Sequence, residues 1–277
     1  MSARRLPALG ALVLALAAAP AAAQDPQRDT TPQRDTTPEP GRPFVEGGAD
    51  DKPYMTRLLG RTAIGGYAEA HARWQRSGGV ADESGFLMKR WNLFTNTQVS
   101  DFVRIGAELE VEEGGEEINL EYAAIDVAIH PSLSLRAGAI LAPLGRFNLS
   151  HDSPRNEFTD RPLVSTEIVG TALTEVGLGV FGLRGLGGTG RVTYELYAVN
   201  GFHDGLITDS PDGTRIPLGR KNFEDNNGSP ALVGRVAWSP GVGFELAVSG
   251  HHGAYNAYVV EGERVDERRE LSIWALD

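Results

Sequence analysis

Residues 102–112, FVRIGAELEVE, alternate between two kinds of side chain. The odd positions carry apolar or small side chains: Val103, Ile105, Ala107, Leu109 and Val111. The even positions carry Arg, Glu, Gly or the leading Phe. A period of two is that of a β-strand whose two faces meet different surroundings. Because the pattern recurs along the chain, it predicts an all-β protein, a transmembrane β-barrel with lipid outside and water inside.

The N-terminus has the form of an export signal. Arg4 and Arg5 precede an apolar stretch at 6–19, and three alanines at 21–23 form a small-residue cleavage site before Gln24. No apolar stretch reaches the roughly 20 residues that a membrane-spanning helix needs. A helical membrane protein is therefore excluded, and a barrel is the one structure left that would cross a bilayer.

Charge and cysteine content narrow the class further. Without the two signal arginines, 24 Lys and Arg face 37 Asp and Glu, so the mature chain is negative by 13 charges. Nucleic acid is not expected as a partner of such a chain. The chain has no cysteine, which excludes disulfides and thiolate metal sites.

Residues 24–56 predict a linker. The hexapeptide QRDTTP occurs at 27–32 and again at 33–38, and further prolines follow with few large apolar residues between them. Such a segment buries too little surface to offset its ordering entropy, so we expect a disordered periplasmic tether after the signal peptide at 1–23. A partner-binding motif is the alternative. The barrel is expected to occupy 57–277.

About ten strands are predicted in that region, with a bulge near 123–124. Their ranges are 61–74, 86–99, 102–112, 118–129, 133–142, 174–183, 191–200, 231–238, 243–252 and 267–277. The connections alternate between long and short, beginning with a long one at 75–85. This alternation is typical of an antiparallel up-and-down membrane barrel. A secreted β-sandwich is the alternative, although its Greek-key connections have no reason to alternate.

Five motifs occur in order around the longest loops. They are LRAG at 135–138, APLGRFN at 142–148, NEFTDRP at 156–162, TEVGLGVFG at 174–182 and FEDNNG at 223–228. With them, residues 85–277 resemble the phosphate-selective porin family. The resemblance implies an outer-membrane barrel of about sixteen strands, a homotrimer, and a third extracellular loop, here 143–173, that folds into the lumen. The chain stops at Asp277 in mid-pattern, so we expect it to be an incomplete reading of a longer barrel.

Charged residues of that loop and of the polar strand faces are the candidate pore residues. The expected constriction residues are Arg146, Arg155, Glu157, Asp160 and Arg161. The expected lumen-facing residues are Glu69, Arg73, Arg90, Arg104, Glu108, Glu110 and Arg136. The arginines would attract phosphate-like anions. The carboxylates among them equally suit a general porin, in which each arginine forms a salt bridge to a lumen carboxylate.

The sequence supports an enzymatic or metal-binding function less than it supports a pore. The run at 151–153 has the residue types of a hydrolytic triad, but neighbours in sequence rarely meet in that geometry, and a hydrogen-bonded loop histidine is the simpler interpretation. His251 and His252 would point to opposite faces of a strand. A loop calcium site at 224–228 stays open as an alternative. We expect no catalytic residue, metal or cofactor, with lipid and small solutes or anions as partners; a barrel hydrolase is the competing function.

Overall fold

The protein is described by a computed structural model that covers residues 52–59, 61–208 and 213–277. The signal peptide and most of the linker predicted from the sequence lie outside these residues. The strands are β1 (Thr56–Leu59), β2 (Thr62–Ser77), β3 (Val80–Gln98), β4 (Val103–Glu112), β5 (Glu117–His130), β6 (Leu133–Leu141), β7 (Thr174–Gly185), β8 (Arg191–Val199), β9 (Ala231–Gly241), β10 (Phe244–Ala254), β11 (Val259–Val260), β12 (Glu263–Arg264) and β13 (Glu270–Leu276).

In the described part of the chain, helical structure is confined to the connections between strands. These residues contain one α-helix, α1 (Arg146–Leu149), and a π-helical turn at Ser165–Val169. Single 3₁₀ turns lie at Glu113–Gly115, Ser153–Arg155, Gly187–Thr189, Asp204–Leu206 and Ile216–Gly219. Among the described residues, no helix is both long enough and apolar enough to cross a membrane.

Eleven strands form one antiparallel sheet in which each strand pairs with its neighbour along the chain. The order is β1 to β10 followed by β13, and β11 pairs with β12 in a separate hairpin. The prediction of an all-β, antiparallel up-and-down arrangement is confirmed. The β-sandwich alternative is wrong for the described residues, because no second large sheet packs against the first.

The two faces of this sheet differ in an unusual way. In β9, the side chain of Arg235 is on the face that is shielded, and the residue is 5% exposed, whereas Leu232 and Val236 on the other face are 54% and 52% exposed. In β4, the buried residues Glu108 and Glu110 alternate with the more accessible Ile105, Leu109 and Val111. We call the shielded, polar face the inner face and the accessible, apolar face the outer face.

The sheet is strongly curved, with the inner face concave. Nine strand spacings separate β2 from β13, which would be about 43 Å in a flat sheet. Yet the backbone N–H of Ser153 donates to Tyr67 of β2, and that of Arg146 donates to Asp277, the residue after β13. The chain between Arg146 and Ser153 cannot reach beyond about 25 Å. Strand side chains stand roughly perpendicular to a sheet, so the strands themselves must bend toward this loop.

All ten predicted strands correspond to observed ones, with differences in their bounds. The connection predicted as long at 75–85 is instead a two-residue turn, because β2 ends at Ser77 and β3 begins at Val80. The turn residues, Gly78 and Gly79, have φ angles of +58° and +84°. Only residues that accept positive φ allow so tight a hairpin. The short strands β1, β11 and β12 were not predicted, since segments of two to four residues carry no readable period.

The bulge predicted near 123–124 lies slightly earlier. Glu108 pairs with Tyr122, whereas Leu109 pairs with Leu120, so Glu121 is the extra residue in β5. The bulge places the adjacent side chains of Glu121 and Tyr122 both on the inner face, where they are 5% and 1% exposed. A regular strand would have directed one of them outward.

An apolar core lies on part of the inner face. It joins side chains of β5 to β9 with residues of the 142–173 connection and of the loop between β8 and β9. Its largest members are Tyr122, Ile140, Leu144, Leu173, Phe181, Tyr197 and Phe202. The connection between β6 and β7 therefore packs into the concave side of the sheet rather than away from it.

Candidate functional site

Residues 142–173, which we call the inner loop, begin and end at the same point of the sheet. The N–H of Ala142 donates to the carbonyl of Leu173 at 3.0 Å. The side-chain N–H₂ group of Asn148 donates to the carbonyls of Ala142 and Leu173, at 2.8 and 3.0 Å. The side-chain oxygen of Asn148 accepts the N–H of Leu173 at 2.8 Å. One buried side chain thus closes the base of the loop.

A buried ion-pair group lies beneath the loop. The ammonium of Lys52 contacts the carboxylate of Glu108 and lies 3.4 Å from Asp152 of the loop, and all three side chains are almost fully buried. Burial alone would lower the pKa of Lys52, but the carboxylates of Glu108 and Asp152 outweigh it and raise that pKa above its usual value. Lys52 is therefore a permanent cation that links the segment before β1 to β4 and to the loop.

Arg90 organises the carboxylates beside this group. Its guanidinium lies 2.8 Å from Glu69, 3.1 Å from Glu110 and 3.3 Å from Glu112. Glu69 also accepts a hydrogen bond from the hydroxyl of Ser153 in the loop. Arg90 is 3% exposed, so its charge is compensated by Glu69, Glu110 and Glu112 rather than by water.

His151 completes the group, which we call the anionic cluster: Lys52, Glu69, Arg90, Glu108, Glu110, Glu112, Glu121, His151 and Asp152. The Nδ1 atom of His151 lies 2.8 Å from the carbonyl oxygen of Asn148, and its Nε2 atom lies 3.2 Å from Glu121 Oε2. Because the imidazole is fully buried, its pKa is lowered. Candidate ligand atoms of Glu108, Glu121 and His151 all lie within 4.8 Å of one another.

Separate ion pairs occupy the inner face further along the sheet. Arg136 of β6 makes a two-point contact with Asp126 of β5, at 2.7 and 2.9 Å. Arg235 of β9 donates to Glu245 of β10 at 2.7 Å. These pairs link neighbouring strands, as expected for opposite charges facing each other across a ladder.

A second buried histidine, His251 of β10, lies 3.6 Å from Glu175 of β7 and stacks edge-on against Phe202. The next residue, His252, is on the outer face, with half of its side chain exposed. The prediction that these adjacent histidines point to opposite faces is confirmed, so they do not meet at one metal ion.

The five predicted constriction residues do not form one group. Arg161 donates to the carbonyl of Thr171 at 2.8 Å and acts electrostatically on Glu110 and Glu121 of the anionic cluster. Asp160 pairs with Arg73 of β2 at 2.8 Å. Arg146 begins α1 near Asp277, on the opposite side of the loop, and Arg155 and Glu157 are exposed.

The predicted lumen-facing residues share the inner face, as alternation requires. Glu69, Arg90, Glu108 and Glu110 meet in the anionic cluster. Arg104 is opposite Asp126 in the β4–β5 ladder, and Asp126 is the partner of Arg136. Arg73 reaches the inner loop through Asp160.

The triad reading at 151–153 is not supported by the geometry. His151 contacts Asn148 and Glu121, and the hydroxyl of Ser153 donates to Glu69. His151 is the hydrogen-bonded loop residue that we predicted. At 224–228, Asp225 accepts the N–H of Asn227, whose own side-chain oxygen accepts that of Ser229, so these oxygens stabilise a turn.

Five members of the cluster were not among the predicted pore residues: Lys52, Glu112, Glu121, His151 and Asp152. Lys52 was assigned to the linker, and a lone lysine beside Pro53 carries no sign of burial. Glu121 falls on the inner face through the bulge, which shifts the alternation that would have revealed it. No metal ligand was predicted either, whereas Glu108, Glu121 and His151 form a candidate ligand set within the described residues.

No protein-family model matches the chain. A stretch of 208 residues is 31% identical to a protein of Aquifex aeolicus (strain VF5) that is described as an uncharacterized protein. The similarity covers 72% of this chain and 44% of the relative, so the chain spans less than half of the relative's length. The activity, substrates and partners of the whole protein are therefore matters of proposal.

Proposed function

We propose that the protein is an outer-membrane porin. Small hydrophilic solutes or anions would diffuse through a lumen on the inner side of the sheet, narrowed by the inner loop. Outer-membrane location, contact with lipid and assembly as a homotrimer belong to this proposal.

The observation that carries it is the reversed distribution of side chains. Along the sheet, the outer face exposes large apolar residues, whereas arginines and glutamates of the inner face are buried. A water-soluble sheet would bury the apolar set, because burying a Leu or Val side chain stabilises by about 1.5–3 kcal/mol. Lipid around the outer face would remove this conflict, since membrane barrels alternate apolar-out and polar-in.

Aromatic residues on the outer face add support at the turn end of the strands. Trp238 donates its indole N–H to the carbonyl of Thr189, and Tyr194 donates its hydroxyl to the carbonyl of Ser132. Both acceptors lie in short turns, so each ring lies on the apolar face with its polar atom toward the rim. Amphipathic rings at this level suit a membrane–water interface.

The proposal requires the sheet to close into a barrel. β1 and β13 are the two edges of the described sheet, and each has one paired neighbour. A lumen requires these edges to be joined, through further strands in a barrel of about sixteen. The curvature that brings β2 and β13 toward the same loop favours such closure.

The charge pattern favours modest selectivity over a dedicated phosphate path. Arg73, Arg90 and Arg136 each lie next to carboxylates, at 2.7 to 3.3 Å. An arginine that is already paired offers a passing anion less than a free one does. We therefore place general diffusion first and anion preference second.

Planar-bilayer recording tests the proposal. We expect the complete gene product, with any strands that join β1 to β13, to give stepwise channel openings, and we expect replacement of residues 154–164 by a short Gly-Ser linker to raise the conductance. Shortening the β11–β12 hairpin, which lies outside the inner loop, is the matched control and should leave the conductance unchanged. The sign of the reversal potential under a salt gradient separates anion from cation preference. Membranes as quiet as protein-free ones would refute the porin, and unchanged conductance after the loop replacement would remove the inner loop from the filter.

A further inference from the structure

The imidazole of His151 is oriented as a metal ligand would be. Its Nδ1 lies 2.8 Å from a backbone carbonyl, which can only accept, so Nδ1 carries the proton. In the neutral ring, Nε2 then presents a lone pair toward the carboxylate of Glu121 at 3.2 Å. A lone pair facing a carboxylate is unfavourable unless a proton or a cation lies between them. Histidine ligands of metals usually donate their second N–H to a carbonyl or carboxylate in this way.

The carboxylates around this ring are not fully compensated. The anionic cluster contains the six acids Glu69, Glu108, Glu110, Glu112, Glu121 and Asp152. Its cations are Lys52 and Arg90, with Arg161 acting from the loop. Asp152 is 99% buried, and its Oδ1 has no hydrogen-bond partner. Buried carboxylate oxygens of this kind are stabilised by a bound cation.

A cavity borders the cluster at Glu121. This cavity of about 270 Å³ lies between the start of β5, residues 171–174 and residues 220–223, and Glu121 forms part of its wall. Asn119, Thr171 and Thr174 contribute polar side chains to the same wall. Of Glu108, Glu121 and His151, only Glu121 is among the residues that line this cavity.

We propose that Glu108, Glu121 and Nε2 of His151 bind a divalent transition-metal ion, and that the ammonium of Lys52 competes with it for Glu108. Two carboxylates and one imidazole are a ligand set that suits Mn²⁺, Fe²⁺ or Zn²⁺. The ligands come from β4, β5 and the inner loop, so the ion would tie the loop to the sheet. This site is independent of whether the sheet forms a pore.

Titration of the full chain with Mn²⁺ alone tests the site. Binding is measured as the loss of the free-ion signal in electron paramagnetic resonance. We expect saturable binding of one ion per chain. His151→Gln and Glu121→Gln should each weaken it by about tenfold or more. His251→Gln is the matched control, because His251 is equally buried beside Glu175 but lies outside the ligand set; it should leave the affinity unchanged.

Lys52→Met separates the competition from the site itself. We expect this variant to bind Mn²⁺ more tightly than the wild type, because the ammonium no longer contacts Glu108. Saturable binding in Lys52→Met that is abolished by adding Glu121→Gln supports the proposal even if the wild type binds weakly. Absence of saturable binding in both wild type and Lys52→Met overturns it, as does equal weakening by His151→Gln and His251→Gln. Circular dichroism of each variant verifies the fold, and no part of the titration depends on conduction.

Discussion

The side chain of Asn148 has an effect out of proportion to its size, because it holds both ends of a 142–173 loop with three hydrogen bonds. We expect Asn148→Ala to lower the free energy of unfolding of the loop by about 2–4 kcal/mol, since each lost bond is worth about 0.5–1.5 kcal/mol and the carbonyls stay buried. The rate of trypsin cleavage at the exposed Arg155 measures it.

Thr159→Ala is the control for this substitution. Thr159 lies in the same loop, and it is exposed and away from the cleaved Arg155–Asn156 bond. We expect its cleavage rate to match the wild type. If the two substitutions accelerate cleavage equally, the hydrogen bonds of Asn148 do not hold the loop.

Sequence reasoning placed individual residues well where the strands are regular. Alternation alone assigned Glu108, Glu110 and Arg136 to one face, and all three are buried on the inner face. It failed for Glu121, which a bulge redirects, and for Lys52. It predicted His151 as a hydrogen-bonded loop residue but did not place it in the anionic cluster. The positions of Lys52 and His151 depend on contacts with residues far away in the sequence, and no local period records such contacts.

At the level of elements, the β2–β3 hairpin depends on two glycines at positive φ. We expect Gly78→Ala with Gly79→Ala to lower the free energy of unfolding by about 2–3 kcal/mol, because left-handed backbone costs an L-residue about 1–2 kcal/mol. Chemical denaturation of the refolded protein measures the change.

Gly188→Ala is the matched control for the hairpin. This glycine also lies in a turn, but its φ is not positive, and an added Cβ would meet no atom within 4 Å. We expect the stability of this variant to equal that of the wild type. Equal stability of the double variant and the wild type would mean that the hairpin opens at little cost.

The same hairpin shows why the strands were predicted better than their connections. A long strand repeats its period many times, so one broken position, such as Lys89, does not hide it. Lys89 is the extra residue where Glu69 pairs with Arg90 and Ala70 with Met88. The turn at Gly78–Gly79 is only two residues, and the bulges around it disturb the alternation enough to resemble a loop.

Over the whole molecule, the curved sheet, the shielded charges and the exposed apolar face are three aspects of one arrangement. The inner loop fills the concave side, where it covers an apolar core at β5 to β9 and the anionic cluster at β2 to β5. Sequence alternation predicted which residues share a face. It did not predict the curvature, which depends on how the inner loop contacts strands that are distant in the sheet order.

A membrane protein and a soluble protein differ in what surrounds the outer face, which is lipid in the first and water in the second. A substitution at Val236, in the middle of β9, distinguishes the two. If lipid covers this face, Val236→Arg should cost about 2–4 kcal/mol in urea unfolding from lipid vesicles. In water, a substitution at a half-exposed site should stay within about 0.5 kcal/mol. Val242→Arg is the control, because Val242 is fully exposed in a turn and should tolerate arginine in either case. Equal unfolding free energies for the two variants would show that water covers the outer face, and the porin proposal would then be wrong.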